Sequence, residues 1–346
     1  MTKLRIGILG CGAVARHAHL PAWLHCSDTE IAAVCDCAEE PATALATRVQ
    51  GSCRMFSDER KFLESGLIDV VDICTPGPLH GAQVRTALEA GHHVLVEKPP
   101  VASVAEARCL IELADSHRLK LGAVFNYRYR DLVADLRAVV ASGVAGTVAK
   151  AQVIQHGPFV FADARWLWDE KKTKYLLWEY GIHIIDLLVY LFGPDAAVLR
   201  VTPYVNNAVG HTTELDILLQ FGTQTTVNVQ LSADTTRHSS ALTQINLFGS
   251  GSDVFVRWFP PTIRVVAGVA NPLEVLWTEA KAFGSLAKKL ATGEFIRHRN
   301  ISHYRLIADY RAWVSGDGEF PLSFESILPT IALLERIQGH VPSYCG

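Results

Sequence analysis

The chain has no apolar run approaching the ~20 residues that a membrane-crossing helix needs. It has no CxxC pair or zinc-finger spacing among its eight cysteines, and a formal net charge of only −3 over 346 residues. Each absence excludes something. Without an excess of either sign of charge there is no global attraction to a phosphate backbone or an anionic bilayer, so neither nucleic acid nor membrane is an expected partner. The local exception, Arg297, His298, Arg299, His303 and Arg305, reads as a solvated face or a loop. Cys11, Cys26, Cys35, Cys37, Cys53, Cys74, Cys109 and Cys345 are scattered, several of them in apolar runs where a thiol packs as a small hydrophobe. That usage suits a reducing cytoplasm better than a disulfide framework. No HExxH and no GxSxG occurs, which removes the usual zinc-protease and α/β-hydrolase signatures. There is no internal repeat and no low-complexity linker. With 49% hydrophobic and 19% charged residues, the chain has the material for two globular domains.

The opening MTKLRIGILGCGAVA imitates a secretory signal in outline, but its glycines interrupt the apolar run, and another reading fits better. Leu4 to Leu9 reads as a buried strand, followed at once by Gly10, Cys11, Gly12, Ala13, Val14 and Ala15 and then a helix to about His25. In a strand, glycine turn, helix unit of this kind Gly10 permits the tight turn and Gly12 lets the main chain approach a pyrophosphate. Small Ala15 lets the helix pack close to the strand. The helix start then aims free N–H groups and the positive end of its dipole at the phosphates. Glu30 to Cys35 reads as a second strand ending in Asp36, placed to accept hydrogen bonds from an adenosine ribose. Asp36 would repel a 2′-phosphate, and Cys37 beside it brings no positive charge, so NAD is expected in preference to NADP.

Val70 to Cys74 and His93 to Val96 continue the strand pattern around a helix-like Leu79 to Ala90, the alternation of a doubly wound parallel sheet. Thr75, Pro76 and His80 follow one strand, and Glu97 and Lys98 follow the other. Ligands in such sheets bind outside the carboxyl ends of the strands, so these turns are expected to face the cofactor.

The stretches GILGCGAVARHAHLPAW, DICTPGPLHGAQVRTALEAGHHVLVEKP, FNYRYR and EYGIHIID, with Asp36 between the first two, occur in the order and approximate spacing of one family. Together they resemble the glucose-fructose oxidoreductase, inositol dehydrogenase and rhizopine catabolism (Gfo/Idh/MocA) oxidoreductases. The resemblance runs from residue 4 to about residue 193. It implies an NAD-binding Rossmann domain, assigned here to residues 1–122, and a substrate and oligomerisation domain over 123–346.

In the second region a helix is expected over residues 128–143. Strands are then expected at Val148 to His156, Leu199 to Val205, Leu215 to Phe221, Thr225 to Leu231, Leu242 to Phe248 and Val254 to Trp258. Turns such as Gly222-Thr223 join them into a mainly antiparallel sheet, packed on one face and partly open on the other. A last apolar helix covers Phe324 to Ile337. By the resemblance, the open face makes a homodimer or homotetramer.

Within LWEYGIHIIDL, Glu179 and His183 lie four apart and Asp186 three further on, so a helix would gather all three on one face. The spacing alone leaves a self-satisfied polar stripe, a metal site or an acid/base centre open. Oxidising a secondary alcohol needs a group to take the hydroxyl proton as hydride leaves, and an imidazole suits that role. The resemblance puts His183 in that position and Lys98 beside the same hydroxyl, with no metal required.

Glu179 departs from the Asp usual in the family four residues before the histidine. It is expected to position substrate or imidazole, and Asp186 to act as a support. Another departure is the bulky, basic stretch before this helix, with Arg165, Trp166, Trp168, Lys171, Lys172 and Lys174 where many relatives have glycines. Trp166 and Lys174 are candidate substrate contacts there, and Asn126, Tyr127 and Arg128 are the family's substrate-side segment by resemblance. The expected activity is a cytoplasmic NAD-dependent dehydrogenase acting on a sugar, amino sugar or cyclitol. A transient-redox glycosidase and a non-catalytic dinucleotide-binding regulator are the alternatives.

Overall fold

The computed structural model describes residues 3–49, 51–157, 176–206, 211–233, 242–268 and 300–341, with scattered positions between 273 and 288. The candidate contacts Trp166 and Lys174, like the rest of the basic stretch before Leu176, lie outside the described residues. By its internal contacts the chain forms two compact units, Met1–Tyr129 with Asn300–Ile331, and Arg130–Arg299 with Ala332–Gly346. Asn300–Ile331, assigned from sequence to the second domain, therefore clusters with the first unit.

The first unit is built on six parallel strands: β1 (Leu4–Leu9), β2 (Thr29–Cys35), β3 (Arg54–Phe56), β4 (Val70–Ile73), β5 (His93–Val96) and β6 (Leu121–Ala123). Their order is β3-β2-β1-β4-β5-β6, the doubly wound arrangement. The strands are near-continuous apolar runs because helices cover a parallel sheet on both faces, and Ile6, Ile8, Val70, Ile73 and Leu95 are fully buried.

Between the strands run α1 (Leu20–His25), α2 (Glu39–Ala46), α3 (Glu59–Leu63), α4 (His80–Glu89) and α5 (Val104–His117). A π-helical segment, Ala15–His19, runs straight into α1. The start of α5 is capped by side chains: N-cap Ser103 Oγ accepts from the Glu106 N–H at 3.0 Å, and Glu106 Oε2 reaches back to accept from the Ala102 N–H at 2.8 Å. Strands β3 and β6 had no sequence expectation, since three residues are too few to display a period.

The second unit opens with α6 (Asp131–Ala141) and β7 (Val148–His156), followed after the undescribed residues by α7 (Ile182–Phe192). Then come β8 (Ala196–Asn206), β9 (His211–Phe221), β10 (Thr225–Ser232), β11 (Leu242–Gly249), β12 (Asp253–Arg257) and β13 (Thr262–Val266). They form one sheet in the order β13-β12-β11-β7-β10-β9-β8. It is antiparallel throughout except where β10 pairs parallel with β7, so the sheet is mixed and mostly antiparallel as expected. The period of two along β9 is plain: Leu215, Ile217, Leu219 and Phe221 are buried, and Asp216, Leu218 and Gln220 half-buried. Two more helices close the described chain, α8 (Ile301–Val314), which belongs to the first unit, and α9 (Phe324–His340). No helix of the described residues is long and apolar enough to cross a membrane.

Gly7, in the middle of β1, is required by close approach. A β-carbon there would stand 2.6 Å from the ring of Phe62 and 2.9 Å from Ile68. Phe62 is fully buried and has no room to retreat. Gly7→Ala is expected to lower the free energy of unfolding by about 1–3 kcal/mol, the usual cost of overpacking, as read from the urea midpoint.

Candidate active site

Strand register brings the candidate residues of the first unit to one edge. Leu9 stands level with Cys35 of β2 and with Ile73 of β4, and Ile73 with Val96 of β5. The next residues along, Gly10, Asp36, Cys74 and Glu97, therefore emerge together at the carboxyl ends of four strands. This edge includes the point where the strand order reverses, the usual crevice for a dinucleotide.

At Gly10 the chain turns with φ +91°, and a β-carbon would meet the main chain of Cys74 and Thr75 at 2.8 Å. At Gly12, by contrast, a β-carbon would meet nothing within 4 Å. Gly10 thus serves the protein's own turn, and Gly12 keeps open a space that the protein does not fill. Helical bonding begins with the Arg16 N–H on the Gly12 carbonyl at 3.1 Å, so the N–H groups of Ala13 and Val14 belong to the helix's first turn, beside that space. Ala15 is fully buried. Asp36 is half-buried, its carboxylate oxygens accepting from the Cys11 and Ala38 N–H groups at 2.8 and 2.9 Å, and Cys37 next to it is exposed. An open glycine cradle, a helix start and an acid at the end of β2 fit a dinucleotide: Gly12 and the helix start would hold the pyrophosphate, and Asp36 the adenosine ribose.

Two residues expected among the cofactor contacts are committed elsewhere. His80 is fully buried, with Nδ1 2.8 Å from the Pro99 carbonyl and Nε2 2.8 Å from the Thr75 carbonyl. It ties the turn after β4 to the turn after β5 and has no ring nitrogen left for a ligand. Burial pushes its pKa below the ordinary value, against the pull of the two carbonyls.

Glu97 is also buried. Its Oε2 accepts from the Lys98 N–H at 2.9 Å, and its Oε1 lies 3.0 Å from His19 Nε2 and 3.8 Å from His303 Nε2. His19 Nδ1 in turn sits 3.0 and 2.9 Å from the two oxygens of Asp72, a carboxylate in the middle of β4 that also accepts from Trp23 Nε1 at 2.7 Å. The result is a buried row, Asp72, His19, Glu97, His303. Sequence reasoning missed three of its four members. The available signal was an acid inside the buried run VVDI, which demands an internal partner.

The charges in this row support one another. Burial opposes protonation of His19, but the Asp72 carboxylate overcomes it and holds the imidazolium well above its ordinary range. Burial alone would raise the pKa of Glu97, yet the hydrogen bonds from His19 and His303 hold it well below. The ligand-type atoms of His19, Glu97 and His303 lie within 4.8 Å of one another. Both ring nitrogens of His19 face carboxylates, Nδ1 that of Asp72 and Nε2 that of Glu97.

Lys98 is half-buried directly after Glu97. The Asn126–Tyr129 turn lies against α8 and the segment that follows it: Asn126 Nδ2 is 3.4 Å from His303 Nε2 and Tyr129 donates to Asp309 at 2.9 Å, both in α8, and Arg128 donates to the carbonyl of Pro321 beyond it at 3.2 Å.

In the second unit, the chain before α7 is a π-helical segment, Leu176–Gly181, where a regular α-helix was expected. Such turns recur at functional positions. Glu179 and Asp186 are buried and His183 is half-buried. The segment is seated on the sheet: a β-carbon on Gly181 would stand 2.4 Å from Leu231 of β10.

Residues 4–125 match the GFO_IDH_MocA family described as "Oxidoreductase family, NAD-binding Rossmann fold", and residues 133–253 match the "GFO/IDH/MocA C-terminal domain". The chain is 28% identical over 218 residues to D-apiose dehydrogenase of Paraburkholderia graminis, covering 63% of this chain and 57% of that protein. It is 34% identical over 202 residues to D-glucoside 3-dehydrogenase of Escherichia coli, covering 56% and 55%. These two matches thus span a little over half the length of each relative. A D-apiose dehydrogenase of Rhizobium rhizogenes is 26% identical over 97% of this chain and 94% of its own. Among solved structures, the WlbA dehydrogenase from Bordetella pertussis, in complex with NADH and UDP-GlcNAcA, superposes with a TM-score of 0.79 at 19% identity. That likeness, which is one of fold, covers 98% of this chain and 95% of that one.

Two expectations come from this geometry. Gly12→Ala adds a methyl that meets no protein atom, so stability should stay within about 0.5 kcal/mol of wild type. NAD affinity should fall about tenfold or more, measured by quenching of protein fluorescence, because the methyl occupies the approach of the pyrophosphate.

The buried row also sets a pH window. A raised histidine stabilises fully below its ordinary 6.5 and loses this as pH rises through the folded value, while a depressed carboxylate stabilises fully above its ordinary 4.5 and loses this as pH falls. The stability gap between wild type and Glu97→Gln in urea titrations should therefore be full above pH 4.5 and shrink as pH falls below it, whereas the gap for Asp72→Asn, which removes the carboxylate that raises His19, should shrink as pH rises above 6.5.

Proposed function

The chain belongs to the GFO/IDH/MocA family of oxidoreductases, with an NAD-binding Rossmann domain, and from that premise we propose that it is an NAD-dependent dehydrogenase. Its substrate is a secondary hydroxyl of a sugar, amino sugar or cyclitol, oxidised to the ketone or formed by the reverse reduction. The observation that carries this reading is the line of Gly10, Asp36, Thr75 and Glu97-Lys98 along one edge of the parallel sheet, with an open glycine cradle at its centre. The relatives named D-apiose dehydrogenase and D-glucoside 3-dehydrogenase support a sugar-type substrate.

When bound, the dinucleotide supplies the hydride acceptor. Lys98 polarises the reacting oxygen and stabilises its alkoxide character, the electrostatic contribution that preorganised cations make. His183 takes the hydroxyl proton and returns it in the reverse direction. Glu179, buried one turn before it, positions substrate or imidazole, with one methylene more than the family's usual aspartate. Asp186, fully buried, supports the helix from within. Asp36 favours NAD over NADP by repelling a 2′-phosphate. The partly open, polar face of the seven-stranded sheet meets a second copy of the chain.

The test is the absorbance of reduced nicotinamide when the protein is mixed with NAD, and separately NADP, against a panel of cyclitols, amino sugars and aldoses. Turnover with NAD on one class is expected. Lys98→Ala and His183→Ala should each cost about 10²-fold or more in kcat while NAD still binds. Full turnover in either variant overturns that residue's role. Bound NAD with no net reduction on any class moves the reading to transient-redox chemistry or to regulation.

A further inference from the structure

Lys98 stands in a turn whose geometry is set by its neighbour. The Lys98 N–H donates to Glu97 Oε2 at 2.9 Å, so the rotamer of Glu97 decides where the main chain of the lysine lies. The other oxygen, Oε1, is held by His19 Nε2 at 3.0 Å. Glu97 is thus held at both oxygens, one of them by His19. His19 is itself gripped by both oxygens of Asp72, at 3.0 and 2.9 Å, and Asp72 is fastened to β4 and to the Trp23 indole. All four side chains are buried, with Asp72, His19 and Trp23 at 0% exposure.

We propose that His19 is a positioning residue for Lys98, acting through Glu97. The inference rests on the reading of Lys98 as a catalytic group. His19 is the one cation between two buried carboxylates in this row, and it transmits the fixed position of β4 to the turn that carries the lysine. Without it, Asp72 keeps the Trp23 indole and Glu97 keeps the Lys98 N–H and His303, but the cation that links the two carboxylates is gone, and Glu97 rotates or takes a proton. Either response releases the Lys98 amide. A displacement of about 1 Å at a reacting group is enough to cost up to about 10²-fold in rate. His303 holds Glu97 from a second side at 3.8 Å and is the weaker restraint. His19 touches neither substrate nor cofactor in this account, and it acts on kcat by way of the lysine's position.

The experiment compares wild type, His19→Gln and Lys98→Ala on three readouts: kcat and KM, NAD affinity, and the rate at which pyridoxal phosphate with borohydride labels Lys98, followed by peptide mass spectrometry. Exposed Lys61 serves as internal reference. In His19→Gln, kcat should fall about tenfold or more, with NAD affinity and substrate KM within about twofold of wild type. The labelling rate of Lys98 relative to Lys61 should shift by about threefold or more, since lysine reactivity follows its surroundings.

Wild-type kcat together with wild-type labelling overturns the proposal, as does a loss that lies wholly in NAD affinity. Stoichiometric transition metal in the purified protein, absent from His19→Gln, overturns it in favour of a metal centre. Failure of the underlying reading looks different: Lys98→Ala then keeps wild-type turnover whatever His19→Gln does to labelling. Should His19→Gln not fold, Asp72→Asn carries the same readouts, because it keeps an oxygen acceptor for His19 and Trp23 while removing the charge that anchors the imidazolium.

Discussion

The parallel pairing of β1 with β2 on one side and β4 on the other is the constraint on which the rest of the first unit depends. Parallel strands that start at one edge must end at one edge, and every chain segment leaving that edge enters the same crevice. A turn glycine, the acid Asp36, the Thr75 turn and the Glu97-Lys98 turn become neighbours although almost ninety residues separate the first from the last. No side-chain interaction creates this gathering. It is a consequence of hydrogen-bond register in the sheet, and the side chains then specialise the edge so formed.

That specialisation has a cost that the fold answers locally. Asp72 and Glu97 are carboxylates removed from water, and a buried charge is tolerated only with a partner and satisfied hydrogen bonds. His19 and Trp23, from the π-helical segment and α1, supply those partners to Asp72, and His303 from α8 adds one to Glu97. A network of this sort adds little net stability over an apolar core of the same volume, but it selects one arrangement of the elements that share it. Its members come from β4, from the helix after the glycine turn, from the turn after β5 and from α8. Segment 300–331, remote in sequence, is thereby joined to the first unit at the turn that bears the lysine.

The second unit follows a different logic. Its sheet has one apolar face, and the π-helical segment and α7 carry Glu179, His183 and Asp186 in a stretch that is otherwise buried and apolar. Gly181 lets this segment come against Leu231 more closely than any side chain would allow. An ionisable group held in such surroundings is fixed in direction.

Much of this was legible in the chain itself. Strands β1, β2, β4 and β5 announced themselves as apolar runs closed by glycine, acid or proline, because a strand buried on both faces has no other composition available. The glycine turn, Asp36 and the Glu97-Lys98 turn could be read because their chemistry is local: each depends on a residue type at the end of a run. Strands β3 and β6 could not be read, being too short for a period, nor could the π-helical register before α7, which depends on packing against the sheet.

The least legible feature was the row of buried charges. His19, Asp72, Glu97 and His303 are spread over most of the chain, and nothing in the spacing of such distant residues says that they meet. Local chemistry, which acts over a few residues, determined the elements and the identity of the edge. Only tertiary packing, which decides which distant polar groups must satisfy one another away from water, determined that these four meet beside the turn that carries Lys98.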